Sequence, residues 1–226
     1  MKTLEDIKRD GWESGINQVW NADCLEAMKL LPDKCVDFIW TDPPYNVGKD
    51  YGAYKDKLSD EDYLKWMAEV IRECKRVSRN GIAIMTPQKY MLELWSILGP
   101  EFRQIVLSYG PEGAIRFGFV NQFTSILVNR KPIGYVKNVW HNLQMPGLGW
   151  FFREESFGNP GYTSEDITGR IIGSFTQGGE IILDPFMGTG TTARMAKNLK
   201  RDFIGVEIDP DYIKIAESRL KQEILL

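Results

Sequence analysis

The sequence predicts a doubly wound α/β fold, in which a largely parallel sheet is covered by helices on both faces. The first observation is a set of near-continuous apolar runs, which is typical of strands buried on both faces. They are QVWNAD (18–23), VDFIWTD (36–42), GIAIMTP (81–87), EIILDPF (180–186) and DFIGVEID (202–209). The second observation is that helical patterns separate these runs. The third is the length of 226 residues, which suits a single domain with a substantial core.

Two further runs bring the predicted sheet to seven strands: FRQIVLSYG (102–110) and QFTSILVNR (122–130). Among the helices, the one after Ser59 has the clearest signature, because serine is a good N-cap and an apolar stripe follows it. The stripe consists of Tyr63, Trp66, Met67, Val70, Ile71, Cys74 and Val77. A last helix is predicted from about Pro210.

Composition narrows the class of protein. No apolar run reaches the ~18 residues of a membrane span, and the polar N-terminus does not resemble a secretory signal. Three cysteines (Cys24, Cys35, Cys74) in no metal-like spacing favour free thiols in a reducing compartment, so we expect a cytoplasmic protein. The single His141 excludes a histidine-rich metal site, and no metal is expected. A net charge of −3 argues against a wholly basic nucleic-acid binder but leaves room for a basic cleft.

One segment, 131–162, breaks the alternation of strands and helices. It is rich in glycine and aromatic residues and shows no clear period. A loop of this length inside a compact domain is usually functional or mobile. We interpret it as a small inserted recognition segment; an irregular surface loop is the alternative.

The stretch LDPFMGTGTTARMAK contains a glycine turn between a strand and a helix. Gly188, Gly190 and Ala193 fit the G-x-G-x-x-G/A pattern, and Glu207 follows Gly188 after 19 residues, where an acid can accept hydrogen bonds from ribose. The pattern predicts a nucleoside-bearing ligand; a threonine-capped tight turn is the structural alternative. NAD is disfavoured, because the turn lies near the C-terminus and the strand before it ends in Asp184.

A second motif, TDPPYN, ends an earlier apolar run (41–46). Together, TDPPYN and DPFMGTGTT resemble the S-adenosylmethionine-dependent DNA amino-methyltransferases, which modify adenine N6 or cytosine N4. The order of the two motifs is similar to that of the circularly permuted β class. The resemblance covers roughly 18–130 and 163–215. It implies a class I methyltransferase fold, a Rossmann-like seven-stranded sheet with one antiparallel strand.

The resemblance also implies residue roles. The methionine end of S-adenosylmethionine would be lined by Asp184, Phe186, Gly188, Gly190, Thr191 and Thr192. Glu207 would bind the ribose, Ile208 would pack on the adenine, and Asp23 would meet its amino group. Asp23 also has capping-box spacing with Glu26, so a helix N-cap is its alternative role.

The reaction centre in this interpretation is Asp42-Pro43-Pro44-Tyr45. An exocyclic amine is a poor nucleophile, because its lone pair is conjugated into the ring. Asp42 and the Pro43 carbonyl would accept its two N–H groups, the prolines would fix that carbonyl, and Tyr45 would stack on the base. Asp42 also borders the cofactor site. The methyl group would move in one in-line step after base flipping.

Two further features bear on substrate and partners. The Lys-Pro pair that the family commonly carries before the glycine strand is absent; Thr163 or Ser164 are candidate substitute donors. The loop that carries Lys49, Lys55 and Lys57 is a candidate phosphate contact, and a solvated loop is the alternative. The resemblance favours adenine over cytosine, because the family's cytosine-N4 enzymes more often carry serine where Asp42 stands. A non-catalytic nucleic-acid-binding relative is a further alternative. The recognition segment is short for an enzyme that reads a specific DNA site alone. A homodimer or a loose sequence specificity would explain its length.

Overall fold

The architecture was obtained as a computed structural model, which describes residues 1–51, 54–108, 114–116, 119–121, 123–140 and 163–221. His141 and most of the predicted recognition segment, 141–162, lie outside these ranges. Within them, no helix is both long and apolar enough to cross a lipid bilayer.

Strands account for one central sheet and two small hairpins. They are β1 (Lys2–Thr3), β2 (Gln18–Asn21), β3 (Phe38–Thr41), β4 (Asp50–Tyr51), β5 (Tyr54–Lys55), β6 (Ile82–Thr86), β7 (Arg103–Ser108), β8 (Ala114–Arg116), β9 (Phe119–Asn121), β10 (Phe123–Val128), β11 (Val139–Trp140), β12 (Ile181–Asp184) and β13 (Asp202–Glu207). The pairs β4–β5 and β8–β9 form the hairpins.

Seven α-helices connect and cover the sheet. They are α1 (Leu4–Asp10), α2 (Cys24–Lys29), α3 (Asp60–Val77), α4 (Met91–Leu98), α5 (Glu165–Phe175), α6 (Thr191–Asn198) and α7 (Pro210–Lys221). Two short 3-10 helices, Trp12–Gly15 and Gln88–Tyr90, precede β2 and α4. The predicted N-cap of α3 is confirmed, because the Ser59 side chain accepts the Asp62 N–H at 3.1 Å.

The central sheet has the strand order β1-β2-β13-β12-β3-β6-β10-β7-β11. All neighbouring pairs are parallel except those of β10, which runs antiparallel to both β6 and β7. The prediction of a mostly parallel sheet with one antiparallel strand is therefore confirmed. All seven predicted strands lie in this sheet, and the structure adds a two-residue strand at each edge.

Apolar side chains fill both faces of the sheet. One core packs α1–α4 against the sheet and includes Trp20, Ile39 and Val70. The other packs α5–α7 and includes Trp40, Ile171 and Ile213. Adjacent residues of one strand, such as Ile39 and Trp40, belong to opposite cores because strand side chains alternate in direction. The doubly wound arrangement predicted from the continuous apolar runs follows from this two-sided burial.

Candidate active site

The candidate site lies at the carboxyl edge of the sheet, where open α/β folds commonly bind ligands. The strand order places β13, β12 and β3 side by side, and these strands end at Glu207, Asp184 and Thr41, next to Asp42. Neighbouring strands are about 4.8 Å apart, so Glu207 and Asp42 are separated by roughly 10 Å across the sheet. A row of three carboxylates therefore faces one edge and suits an elongated ligand that carries positive charge.

A cavity of about 280 Å³ opens along this row. All but one of the predicted site residues line it: Asp23, Asp42, Pro43, Pro44, Tyr45, Asp184, Phe186, Gly188, Thr191, Thr192, Glu207 and Ile208. Gly190 is the exception, and it lies inside the turn that shapes the wall. The structure thus brings together residues that are far apart in the sequence.

Asp184 organises the glycine turn from within. Its carboxylate is buried and accepts hydrogen bonds from the hydroxyls of Thr41 (2.8 Å) and Thr192 (2.5 Å) and from the backbone N–H of Phe186 (3.0 Å). Both oxygens are thus used by protein donors. Asp184 links β3, β12 and α6, and it sets the conformation of the turn that borders the cavity.

Burial raises the pKa of Asp184 to about 6, an effect that the three hydrogen bonds oppose and the nearby charge of Asp42 increases. An aspartate in the unfolded chain titrates near about 4. Between these values the folded state binds more protons than the unfolded state, so this group stabilises the fold fully below about pH 4. That contribution is lost as the pH rises through about 6.

We therefore expect Asp184→Asn to change how stability depends on pH. The free energy of unfolding of the wild type should fall relative to that of the variant, by on the order of 2–3 kcal/mol, as the pH rises from about 4 to about 7. Urea unfolding of both proteins at each pH measures the difference, in which the acids that do not interact with Asp184 cancel. A constant difference across this pH range would contradict the assignment.

Glu207 anchors the other side of the turn. Its carboxylate accepts the N–H groups of Gly188 and Asp209, each at 2.8 Å. Burial raises the pKa of Glu207, and the backbone hydrogen bonds oppose this shift. The Gly188 N–H is therefore engaged by the protein.

Gly190 occupies a position that only glycine fits well. Its φ is +87°, in the left-handed region, and a Cβ there would lie 2.8 Å from the Cβ of Ala216 in α7. The close contact of the turn with α7 requires the missing side chain.

We expect Gly190→Ala to lower the free energy of unfolding by about 2–4 kcal/mol, combining left-handed strain with overpacking. Gly173→Ala is the matched control, because Gly173 lies in α5 with nothing within 4 Å of the added Cβ. That change should be neutral or stabilising by up to about 1 kcal/mol. Equal urea midpoints for the two variants would contradict the packing argument.

Asp42 lies at the far end of the row, directly after β3. Its Oδ2 accepts a hydrogen bond from the Thr163 hydroxyl at 2.5 Å. Its Oδ1 is buried and has no hydrogen-bond partner among the described residues. Burial raises the pKa of Asp42, which the hydrogen bond from Thr163, the nearby Tyr45 hydroxyl and the charge of Lys49 counteract; Tyr45 does not meet Oδ1 with hydrogen-bond geometry. A buried acceptor without a donor is costly, and such groups call for a functional explanation.

A hydrogen bond from α3 and two prolines fix the turn after Asp42. Pro43 is buried, and the Tyr63 hydroxyl of α3 donates to the Pro44 carbonyl at 3.0 Å. The prolines fix φ at two successive positions. Tyr45 is partly buried and borders both the second core and the cavity. The four motif residues thus form a rigid wall of the cavity.

Asp23 and Ile208 border the opposite end. The N-cap role of Asp23 is observed: its Oδ1 accepts the N–H groups of Leu25 (2.9 Å) and Glu26 (3.2 Å). The side chain of Glu26 instead accepts from Lys29. Asp23 also lines the cavity, so the two roles that its sequence context suggested are compatible. Ile208 also lines the cavity and is 41% exposed, so its side chain offers apolar surface at this end.

Sequence reasoning missed several residues of this site. Trp66 was assigned to the apolar stripe of α3, yet it lines the cavity and meets Phe186 edge-on, with ring centroids 5.6 Å apart. Tyr212 of α7 lines the cavity as well. Arg219, also of α7, is buried and donates to the Thr189 carbonyl at 2.7 Å and to Glu165 at 2.9 Å. The signal for Arg219 was a charge within the apolar face of the last helix.

Comparisons with known proteins decide the family. The sequence model of the DNA methylase family, which covers N6 and N4 enzymes, matches residues 36–107 and 134–218, more than half of the chain. The chain belongs to this family. DNA adenine methyltransferase YhdJ of Escherichia coli K12 is 30% identical over 88% of this chain and 81% of its own length.

Solved structures agree with this family assignment. The crystal structure of the M1.HpyAVI complex with SAM matches with a TM-score of 0.67 and 26% identity, covering 91% of this chain and 99% of the other. The cytosine-N4-specific PvuII DNA methyltransferase shares the fold, with a TM-score of 0.70 at 13% identity, covering 92% and 88%. The predicted class I methyltransferase fold and the S-adenosylmethionine-dependent family are confirmed by these matches.

The cavity fits the cofactor of the family. Its volume is near the lower end of the range for small-molecule sites. Carboxylates lie along it, and the exposed Ile208 and partly buried Phe186 offer apolar surface. A ligand with a ribose, a flat base and two positive charges matches this set of groups.

Proposed function

We propose that this DNA methylase transfers a methyl group from S-adenosylmethionine to the N6 amine of adenine in DNA. The observation that carries the proposal is the Asp42 carboxylate, which has one oxygen held by Thr163 and the other without a described donor. An amine N–H is the donor that this oxygen suits. Aspartate at position 42 and the similarity to YhdJ, itself named an adenine enzyme, favour adenine. Cytosine N4 is the second candidate, because a cytosine-N4 enzyme shares the fold.

The cofactor would lie along the row of carboxylates. Glu207, Ile208 and Asp23 would hold the adenosine end. The methionine end would meet the glycine turn, through Asp184, Phe186, Gly188, Gly190, Thr191 and Thr192. Bound S-adenosylmethionine supplies an electrophilic methyl group on a sulfonium. The hydroxyls of Thr191 and Thr192 already bond Arg219 and Asp184, so these two threonines act mainly by shaping the turn.

The TDPPY turn would orient the target amine. Asp42 accepts one N–H and the Pro43 carbonyl accepts the other, which favours a pyramidal nitrogen with its lone pair available. Because Tyr63 and the two prolines fix the turn, these acceptors need no rearrangement when the base arrives. Tyr45 stacks on the face of the base. Orientation of this kind provides much of the rate enhancement in a direct transfer.

The loop after Asn46 would cover the side of the site that faces bound DNA. Buried Asp56 accepts the N–H groups of Asn46 (2.6 Å), Val47 (2.9 Å) and Lys49 (3.3 Å), which folds the loop around a single carboxylate. This fold places Lys49 at the wall of the cavity. Its charge would lie near a phosphate of a flipped nucleotide there, since a duplex base must leave the stack to reach the site.

The function is tested by the transfer of labelled methyl from S-adenosylmethionine to mixed-sequence duplex DNA, single-stranded DNA and RNA. The products are then digested to nucleosides. We expect N6-methyladenine in DNA. N4-methylcytosine would overturn the base assignment. No transfer with cofactor bound would favour another amine substrate or a missing partner, and no cofactor binding would favour the non-catalytic nucleic-acid-binding relative. Size-exclusion chromatography with and without DNA tests the homodimer that the short recognition segment suggests.

A further inference from the structure

Thr163 contacts the reaction centre from a distant part of the sequence. It precedes α5 by two residues, yet its hydroxyl reaches the carboxylate of Asp42, which is 121 positions away in the chain. The hydroxyl oxygen lies 2.5 Å from Oδ2, within hydrogen-bond distance. When Asp42 is ionised, a bond of this kind is charge-assisted and stronger than a bond between neutral groups.

The position of Thr163 is fixed by its neighbours. Ser164 caps α5 by accepting the Ile167 N–H at 3.2 Å, so the backbone at 163 cannot shift without losing the cap. Trp40 of β3 donates to the Thr168 hydroxyl of α5 at 3.3 Å. Asp42 follows β3 directly and Thr163 lies just before α5, so this bond joins the strand and the helix close to both groups.

We propose that Thr163 is a positioning residue for methyl transfer: its hydroxyl fixes the orientation of the Asp42 carboxylate and leaves Oδ1 as the acceptor for the target amine. This inference rests on the proposed function, in which Asp42 accepts an N–H of that amine. Turning the carboxylate plane away from its observed orientation would break the bond from Thr163. One hydroxyl thus sets the orientation of the carboxylate and favours its ionised form.

The charged and titratable groups around Asp42 make this role necessary. Lys49 favours the anion by its charge, and Tyr45 favours it through its nearby hydroxyl. Asp184 lies close enough for like-charge repulsion. Burial is the largest effect and acts against ionisation. Three groups, Thr163, Tyr45 and Lys49, oppose the effect of burial on the pKa of Asp42, and Thr163 has the largest effect of the three. Loss of its donor should therefore raise this pKa further.

The test compares the wild type with Thr163→Val, Thr163→Ser and Asp42→Ala. Single-turnover transfer rates are measured from about pH 6 to about pH 9, together with cofactor affinity and thermal melting. Valine keeps the shape of the side chain and lacks the donor, whereas serine keeps the donor. We expect Thr163→Val to lower the transfer rate by roughly 10- to 100-fold near neutral pH. The fall of the rate on the acidic side of the pH–rate profile, the acid limb, should move to higher pH. Thr163→Ser should have a rate and a pH profile close to those of the wild type. The cofactor affinities of Thr163→Val and Thr163→Ser should stay within about twofold of the wild-type value.

The outcomes separate this inference from the proposed function. A wild-type rate for Asp42→Ala would overturn the proposed function itself. If Asp42→Ala is inactive and Thr163→Val keeps the wild-type acid limb, only the role of Thr163 is overturned. Failure of Thr163→Ser to restore the rate would also overturn it, because the methyl group and not the hydroxyl would then matter. Should Thr163→Val melt early, Thr163→Ala provides the same comparison without the branched side chain.

Discussion

Asp42→Ala should abolish methyl transfer while leaving the protein folded. The change removes the anionic acceptor whose Oδ1 is buried without a described partner, at the end of the carboxylate row. Loss of a preorganised polar group at a reacting centre costs about 10²- to 10³-fold in rate, and we expect a loss of at least this size. Single-turnover kinetics with saturating DNA and cofactor measure it.

Two variants serve as controls for this result. Asp42→Asn keeps the shape and the hydrogen bond from Thr163 but not the charge, so it should also be slow. Asp33→Ala removes an exposed acid that pairs with Arg76 on the surface, and it should transfer at the wild-type rate. A wild-type rate for Asp42→Asn would contradict the need for an anion at this position.

Arg219→Met should destabilise the protein more than the loss of any surface charge. Arg219 is buried, and its guanidinium bonds the Thr189 carbonyl, the Thr191 hydroxyl (3.3 Å) and Glu165. Truncation leaves buried acceptors of the glycine turn unsatisfied, at about 1–3 kcal/mol for each such group. We expect a loss of about 2–4 kcal/mol in the free energy of unfolding, with weaker cofactor binding because the turn is released.

Lys214→Met on the same helix provides the matched control. Lys214 is exposed and pairs with Asp211 three residues earlier, an arrangement that contributes at most about 1 kcal/mol. In Arg219→Met, the partly exposed Glu165 still has an ion pair with Arg194 at 3.5 Å. The loss of stability would therefore come mainly from the unsatisfied acceptors of the glycine turn. Equal denaturant midpoints for Arg219→Met and Lys214→Met would contradict a stabilising role for the buried arginine.

The sheet and its catalytic edge could be predicted because their signals are local. A strand buried on both faces has a continuous apolar run, and a ligand-binding turn requires glycines and an acid at set distances. The edge strands β1 and β11 were not predicted, because two residues carry no periodicity. The roles of the site residues, including the prediction that Asp184 holds a ligand, stay predictions, although the structure shows which protein donors Asp184 binds.

Other site residues could not be predicted because their roles depend on tertiary contacts. The periodicity of α3 places Trp66 on an apolar face, but a helical period is the same for a core residue and a cavity wall. Thr163 was considered only as a donor for the cofactor, whereas in the fold its hydroxyl meets Asp42. Arg219 could not be assigned to the glycine turn from the sequence, because its contact with the Thr189 carbonyl brings together residues 30 positions apart.

The central claim, methyl transfer to the exocyclic nitrogen of adenine, is tested most directly by double isotope labelling. Duplex DNA would carry heavy nitrogen only at the exocyclic position of adenine, and the cofactor would carry a deuterated methyl group. The wild-type product would be digested and its nucleosides identified by fragment mass spectrometry. We predict a methyladenine whose deuterated methyl is bonded to the heavy nitrogen. A deuterated methyl on cytosine, or on an adenine nitrogen that is not heavy, would contradict the claim.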